Sequence, residues 1–513
     1  MPTGVRVQPD RYVDSVELLA ITRTMRQATG VEFATAVMGT RANAAALQQQ
    51  GFAEPDLATA SPNDLVLAVR AEDGPLVDGA LDLGERALSS SRPVTGAPAR
   101  SEPRSLHAAL DALGDPNVAV VSVPGGYAAL EAHKALAAGL HVLLFSDNVG
   151  VDEEIALKEH AARAGRLVMG PGAGTAVVGR CGLGFANVVA PGRVGVVAAA
   201  GTGAQEAMVL LDRWGEGVSH VIGVGGRDLS ERVAGRSARS AVRALDRDPA
   251  TDVILLVSKP PSPDVARAVV SSARGGTPVV AALIGLPPGT SVPGAAAVSS
   301  TLEAGVARAV RRCGGCPPSD WSGWRSEVAG SLAGLDPARR TVRGLFSGGT
   351  LCYESLTLLQ PRLGDVWSNT PLDDRLRVPA PAGAHVCLDL GEEEYTRGSP
   401  HPMIDPEARL TPLAEAGQQD DVAVLLLDVV LGHGAHDDPA SVLAPACDAV
   451  ARPGGPRVVV YVLGTATDPQ DLAGQRRAFR EAGCLVAPTA ARAALAAAAI
   501  ARRRPELVEA DLW

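Results

Sequence analysis

The sequence predicts an α/β chain: a small α+β N-terminal unit, a Rossmann-like domain of the CoA-binding type, and two duplicated flavodoxin-like domains. Three observations predict it. From residue 105 onward, apolar runs of strand length alternate with segments of helical periodicity. Two stretches in the second part of the chain repeat one another. A segment rich in Ser and Pro, 89–104, separates residues 1–88 from the rest. A length of 513 residues leaves room for roughly three domains.

In residues 1–88, VEFATAVMG and NDLVLAVRA have the composition of strands, and SVELLAITRTMRQA and PLVDGALDLGERALSS that of helices. In 105–190, VAVVSVP, HVLLFS and RLVMGP are continuous apolar runs, with GYAALEAHKALAAG and VDEEIALKEHAARAG as helices between them. Buried strands alternating with amphipathic helices predict a parallel sheet covered on both faces. Ligands in such sheets bind beyond the carboxyl ends of the strands, where Asp147 and Asn148 fall. The pattern repeats in 191–312. Residues 313–340 read as a linker, and 341–513 restart the series.

In the repeat, GRVGVVAAAGTGAQEAMVLL aligns with RTVRGLFSGGTLCYESLTLL without a gap. Gly201-Thr202 falls on Gly349-Thr350, and Glu206 on Glu354. Each copy reads strand, glycine turn, helix. The first amides of such a helix have no internal partner, and the macrodipole adds roughly half a positive charge there. Gly201, Thr202 and Gly203 with Gly348, Gly349 and Thr350 are therefore expected to aim two helix starts at one phosphate or carboxylate. A tight turn with an N-cap is the plainer reading of either copy alone.

Composition narrows the function. The net charge of −10 argues against nucleic acid. No secretory signal and no apolar run of membrane length is visible, so a cytoplasmic chain is expected. Seven cysteines, with one CxxC at Cys313 and Cys316, do not make a disulfide framework or a zinc site. His433 and His436 read as a solvated turn, and no metal is expected. Of 47 basic residues only Lys134, Lys158 and Lys259 are lysine. Lys134 and Lys158 lie on helices and are expected to be solvated. Lys259, in VSKPP after a strand, sits at the ligand-facing edge. There a compact charge suits a phosphate or a transferring acyl oxygen. Arg227 and Asp228 in GGRDLS also follow a strand, and either close the first anion site or form an internal ion pair.

The strings VMGTRAN, SPNDLVLAVR, LLFSDNV, FANVVAPG, GVGGRDLS, VSKPP, GLFSGGTL and YTRGSPHPMIDPEAR resemble the FdrA family within the succinyl-CoA synthetase superfamily. The resemblance covers nearly the whole chain. Residues 118–312 resemble the synthetase α subunit, and 341–490 the carboxyl-terminal domain of its β subunit, with no ATP-grasp domain between. The synthetases carry a phosphohistidine; here PPGTSVPGAAAVSS (287–300) has no histidine, nor has any position from 221 to 384. A synthetase glutamate that steadies the phosphohistidine falls at or beside Lys259. VMGTRANAAAL keeps one glycine of the CoA nucleotide loop, and Gly172-Ala173 stands where FdrA proteins carry Asp-Cys.

The resemblance implies a subunit of an oxamate carbamoyltransferase in purine nitrogen breakdown, converting oxalurate and phosphate to oxamate and carbamoyl phosphate. It implies companion subunits and an oligomer, with no tightly bound cofactor. In that reading Lys259 neutralises the transferring group and His401 moves a proton, with Asp405 beside it. Arg397 and Arg409 grip a planar carboxylate. Two other classes stay open: an acyl-CoA synthetase, which binds CoA and borrows an ATP-binding partner, and a non-catalytic scaffold subunit.

Overall fold

The apolar runs fold as strands, and the strand orders establish the α/β class. A computed structural model describes the chain except residues 12, 14, 53–54, 56, 58–59, 91–102, 104, 288, 397–399, 453 and 513. Two compact units result, one of Met1–Glu102 with Arg397–Pro400, the other of Pro103–Thr396 with His401–Trp513.

In the first unit, strands β1 (Thr3–Gln8), β2 (Val31–Met38) and β3 (Leu65–Ala71) form an antiparallel sheet of order β1-β3-β2. Helices α1 (Ser15–Arg26), α2 (Arg41–Gln49) and α3 (Gly74–Ser90) accompany it. Strand β1 and helix α2 go beyond the sequence reading. β1 carries three polar side chains among six residues, Thr3, Arg6 and Gln8, and so lacks an apolar run. The expected linker falls largely on residues 91–102 and 104, outside the described residues.

The second unit opens with α4 (Leu106–Leu113), then β4 (Val118–Val121), α5 (Gly125–Ala137), β5 (His141–Leu144), α6 (Val151–Arg163) and β6 (Val168–Met169). The three strands pair in parallel in the order β4-β5-β6. The hairpin β7 (Thr175–Val178) and β8 (Cys181–Gly184) turns at Gly179-Arg180, both at positive φ, as a two-residue hairpin turn requires. It joins the next sheet rather than this one. The first flavodoxin-like sheet thus starts inside 105–190, because β7 pairs antiparallel with a strand of the next domain.

That domain contains β9 (Pro191–Ala198), α7 (Gly201–Arg213), β10 (Val218–Gly223), α8 (Arg236–Leu245), β11 (Val253–Ser258), α9 (Pro263–Val270), β12 (Val279–Leu283), β13 (Ala297–Ser299) and α10 (Leu302–Arg312). Its parallel strands lie in the order β13-β12-β11-β9-β10. Helix α11 (Ser322–Ser331) follows. Residues 313–340 are therefore not a bare linker: Trp324 and Val328, one helical turn apart, are buried in the main core.

The second copy contains β14 (Thr341–Phe346), α12 (Gly349–Leu363), β15 (Val366–Trp367), β16 (His385–Asp389), α13 (Glu393–Thr396), α14 (Leu410–Gln418), β17 (Val422–Val430), α15 (Pro439–Val450), β18 (Arg457–Leu463), α16 (Leu472–Glu481), β19 (Leu485–Ala487) and α17 (Ala490–Arg502). Its sheet order is β15-β16-β14-β17-β18-β19. The first copy places its second strand, then first, third, fourth and fifth, the flavodoxin-like order; the second copy has the same order once the two-residue edge strand β15 is set aside.

The copies share one hydrophobic core, which takes Val196, Met208 and Val306 from the first and Leu351, Val424 and Ala494 from the second. The duplicated glutamates exchange helix caps. Glu354 accepts the N–H of Leu302, the first residue of α10, at 2.6 Å. Glu206 accepts the N–H of Ala490, the first residue of α17, at 3.3 Å, and the Tyr461 hydroxyl at 2.5 Å. Burial pushes Glu206 up to about 7 and Glu354 up to about 8, the latter helped by repulsion from Glu206. The folded chain then keeps protons that the unfolded chain sheds near 4.5. Stability then falls as pH rises, from pH 4.5 to about 7 through Glu206 and to about 8 through Glu354, by up to ~1.4 kcal/mol per pH unit for each carboxyl. Glu354→Gln is expected to melt increasingly above the parent as pH is raised from 5 to 8.5. Parallel melting curves across that range contradict the assignment.

Lys158 is not solvated. It is buried, and its ammonium donates to Glu154 and Asp228 at 2.7 Å each and to the Val224 carbonyl at 3.0 Å. The contact ties the Rossmann-like helix α6 to the loop after β10. Lys134 is exposed and pairs with Glu131.

Candidate functional site

The site forms where β9 and β14 end. Each feeds a helix whose N-cap residue, Ala200 or Gly348, has extended backbone and gives no side-chain cap. The opening amides of α7 and α12 are therefore left to other partners. The two helix starts meet: the Thr350 N–H donates to the Thr202 hydroxyl at 3.3 Å. Glycine permits the approach. A Cβ on Gly203 would stand 2.9 Å from Thr350 Cγ2, and one on Gly348 2.9 Å from Thr202 Cγ2.

The two starts are not equivalent. At the second, Asp428 from β17 takes the Ser347 and Gly348 amides at 2.7 Å each and the Ser347 hydroxyl at 3.0 Å. Arg409 donates to the same carboxylate at 3.2 Å and to the Asp428 carbonyl at 2.5 Å. Thus part of the second anion site is filled by the chain's own carboxylate. At the first, Gly201 is exposed, and a Cβ there would meet nothing within 4 Å.

Lys259 follows β11, the strand beside β9, and its ammonium lies 5.1 Å from the centre of the Tyr353 ring on α12. Among the described residues it makes no hydrogen bond or ion pair. Asp389, at the end of β16, packs on Gly349: a Cβ there would stand 2.3 Å from its carboxylate. Burial pushes Asp389 up to about 7, and the negative charge of Glu392 adds to this. The Gly391 amide and the Lys259 ammonium oppose it. Asn369 holds the Asp389 backbone by two bonds of 2.9 Å. His401 reaches the same cluster. Its Nδ1 accepts the Met403 N–H at 3.2 Å, and a Cβ on Gly391 would stand 2.5 Å from its Nε2. Burial lowers its pKa, which keeps the ring neutral at pH 7; Asp428 partly opposes this.

Gly201, Thr202, Gly203, Gly348, Gly349, Thr350, Lys259 and His401 therefore gather at one edge. Other expected contacts have internal partners. Arg409 is buried in its ion pair with Asp428, so it does not present a fork to a substrate carboxylate. Asp405 caps a short 3-10 turn by accepting the Glu407 N–H, which gives it a structural task. Arg227 donates to Glu154 and the Val149 carbonyl. Asp228 holds Lys158 and the Ser237 and Ala238 amides. These two form the internal ion pairs and do not close an anion site. Asp147 and Asn148 are exposed at the end of β5, on the β4-β5-β6 sheet. Arg397 lies outside the described residues. His436 is not in a solvated turn: it is buried, and its Nδ1 accepts the Asp438 N–H at 3.0 Å.

Asp389 and Asp428 escaped sequence reasoning. Their signal was an acid ending or interrupting an apolar strand, in HVCLD and VAVLLLDVV, on the edge where ligands bind.

Comparison with known proteins follows this architecture. Residues 345–500 match the model described as CoA-ligase. Residues 1–103 match the model described as AllF, heavy metal-associated domain. The uncharacterized protein YahF of Escherichia coli (strain K12) is 36% identical over 518 residues, covering 97% of this chain and 98% of YahF. Subunit alpha 2 of the ADP-forming succinate–CoA ligase of Archaeoglobus fulgidus is 29% identical over 201 residues, covering 38% of this chain and 68% of that one. Among solved structures, the apo form of the dinucleotide forming acetyl-coenzyme A synthetase 1 of Ca. Korarchaeum cryptofilum is 17% identical. It covers 77% of this chain and 85% of its own, at a TM-score of 0.29.

The metal implied by the second description does not fit this chain. Residues 1–103 contain neither cysteine nor histidine, the ligands that soft metals need. Among the described residues no group of three His, Cys, Asp or Glu side chains is placed to hold a metal ion. Among them, too, no helix is long and apolar enough to cross a membrane.

Proposed function

The chain belongs to the family of the Escherichia coli protein YahF, which is succinyl-CoA synthetase-like, and from that premise we propose that it is a subunit of a carbamoyltransferase. The reaction moves a carbamoyl group between an N-carbamoyl acid such as oxalurate and phosphate. One observation carries the reading: two duplicated helix starts meet at Thr202 and Thr350, with the unpaired Lys259 ammonium beside them and no histidine from 221 to 384. The stretch where the synthetases carry their phosphohistidine has no histidine here, whereas an anion site with a cation remains.

In this mechanism phosphate binds at the open start of α7, and Lys259 neutralises its charge. A phosphate oxygen attacks the carbamoyl carbon. The bond from that carbon to the acid's nitrogen breaks, and the nitrogen takes up a proton, giving carbamoyl phosphate and the amide (oxamate from oxalurate). Asp389, raised to about 7, is poised between its protonated and ionised forms at neutral pH and is suited to give up or take a proton. His401, neutral and packed on Gly391, is the second group able to carry one. Companion subunits complete the enzyme.

The test supplies the purified chain, with and without the products of neighbouring genes, with oxalurate and phosphate. Carbamoyl phosphate is the expected product. The match of 345–500 to a CoA-ligase model favours an acyl-CoA synthetase as the second reading. CoA-dependent ATP hydrolysis with no carbamoyl phosphate under any combination establishes that one instead.

A further inference from the structure

Two of the three lysines are spent on carboxylates, Lys158 on Glu154 and Asp228, and Lys134 on Glu131. Lys259 is not. Among the described residues its ammonium makes no hydrogen bond or ion pair, although the Asp389 carboxyl is near enough to feel its charge. What it has instead is an aromatic face. The ammonium lies 5.1 Å from the centre of the Tyr353 ring, inside the ~6 Å reach of a cation–π contact. Both side chains are half-buried. The ring is backed in turn by Gly285, just after β12: a Cβ there, at a φ of +87°, would stand 3.2 Å from Tyr353 Cε1. Lys259 and Gly285 belong to the first flavodoxin-like domain and Tyr353 to α12 of the second. The contact therefore exists only where the two copies meet, on the helix whose start touches Thr202.

We infer that Tyr353 is the positioning residue of Lys259 and sets how tightly the site holds its oxyanion. This rests on the reading of the helix starts as an anion site with Lys259 as its cation. A lysine ammonium rides on a flexible four-carbon stem and loses much rotamer freedom when an anion fixes it. The negative face of a ring restrains the charge beforehand and leaves the three N–H donors to the ligand. A carboxylate in the same place would take both the charge and the donors, as Glu154 and Asp228 do from Lys158. The phenol hydroxyl is no part of this device: among the described residues it makes no hydrogen bond.

Calorimetric titration of the full chain with inorganic phosphate tests this. Tyr353→Leu is expected to weaken phosphate binding about fivefold, the worth of a half-buried cation–π contact. Tyr353→Phe keeps the ring and should bind within about twofold of the parent. In the Lys259→Ala chain, Tyr353→Leu should change the affinity no further, because the ring then has no ammonium to hold. A fluorinated phenylalanine at position 353 keeps the size but drains the ring face of negative charge. It should bind phosphate as weakly as the leucine variant. That measurement decides if Tyr353→Leu melts early or if the Lys259→Ala chain binds too weakly to titrate. The inference is overturned if Tyr353→Leu binds as the parent does, if the fluorinated ring binds as well as Tyr353→Phe, or if Tyr353→Leu weakens binding equally with Lys259 absent. A parent chain that binds no phosphate, or whose affinity Lys259→Ala leaves unchanged, overturns the anion-site reading and this inference with it.

Discussion

Replacing Lys259 by alanine is expected to lower kcat/KM for phosphate-dependent carbamoyl transfer by about 10²–10³-fold, the loss typical of removing one donor aimed at developing charge. Stability should hardly change, because the ammonium makes no hydrogen bond and only lies over the Tyr353 ring. Such a half-buried cation–π contact is worth on the order of 1 kcal/mol. Thermal melting and steady-state kinetics on the same preparation separate the two effects. Lys259→Arg keeps the charge but alters its shape, and should recover part of the rate. Full activity of the alanine variant removes Lys259 from the site.

The largest effect on stability is expected at Asp428. Its carboxylate satisfies the Ser347 and Gly348 amides, the Ser347 hydroxyl and the buried Arg409. Asp428→Ala leaves a buried cation unpaired, and removing one partner of such a pair costs about 3–5 kcal/mol. The same change frees the two amides at the start of α12. A denaturation midpoint measured on the single variant should show the full loss. Asp428→Ala combined with Arg409→Met should recover much of it, since no charge is then stranded. A single variant as stable as the parent contradicts the role given to Asp428.

Much of this arrangement could be read from the chain. The alternation of apolar runs with helical periodicity marked the two flavodoxin-like domains. The ungapped repeat placed Gly201-Thr202 on Gly349-Thr350, and the scarcity of lysine drew attention to Lys259. What escaped reading depends on partners distant in sequence. Asp428 meets Ser347 and Gly348 across some 80 residues, and nothing local to either segment states that an acid fills the turn. Lys158 looked like a solvated helical lysine, although Glu154 one turn earlier was a hint. Its burial follows from Asp228, 70 residues away. Arg409 and Asp405 drew notice for their chemistry, while an ion pair and a cap already occupy them. Trp324 and Val328 show a different limit: glycines and prolines around them mask one short buried stripe.

The exchanged caps have a consequence for how the protein is put together. The resemblance drawn from the sequence implies that the counterparts of the two flavodoxin-like halves belong to different synthetase subunits, whose meeting depends on protein concentration. Here a single backbone carries both, and the helix starts at Leu302 and Ala490 each draw an acceptor from the opposite half. Joining the halves makes their association intramolecular, at an effective concentration no free subunit reaches. A contact that separate subunits would make by association is here the interior of one chain, and it has no dissociation constant that dilution could test.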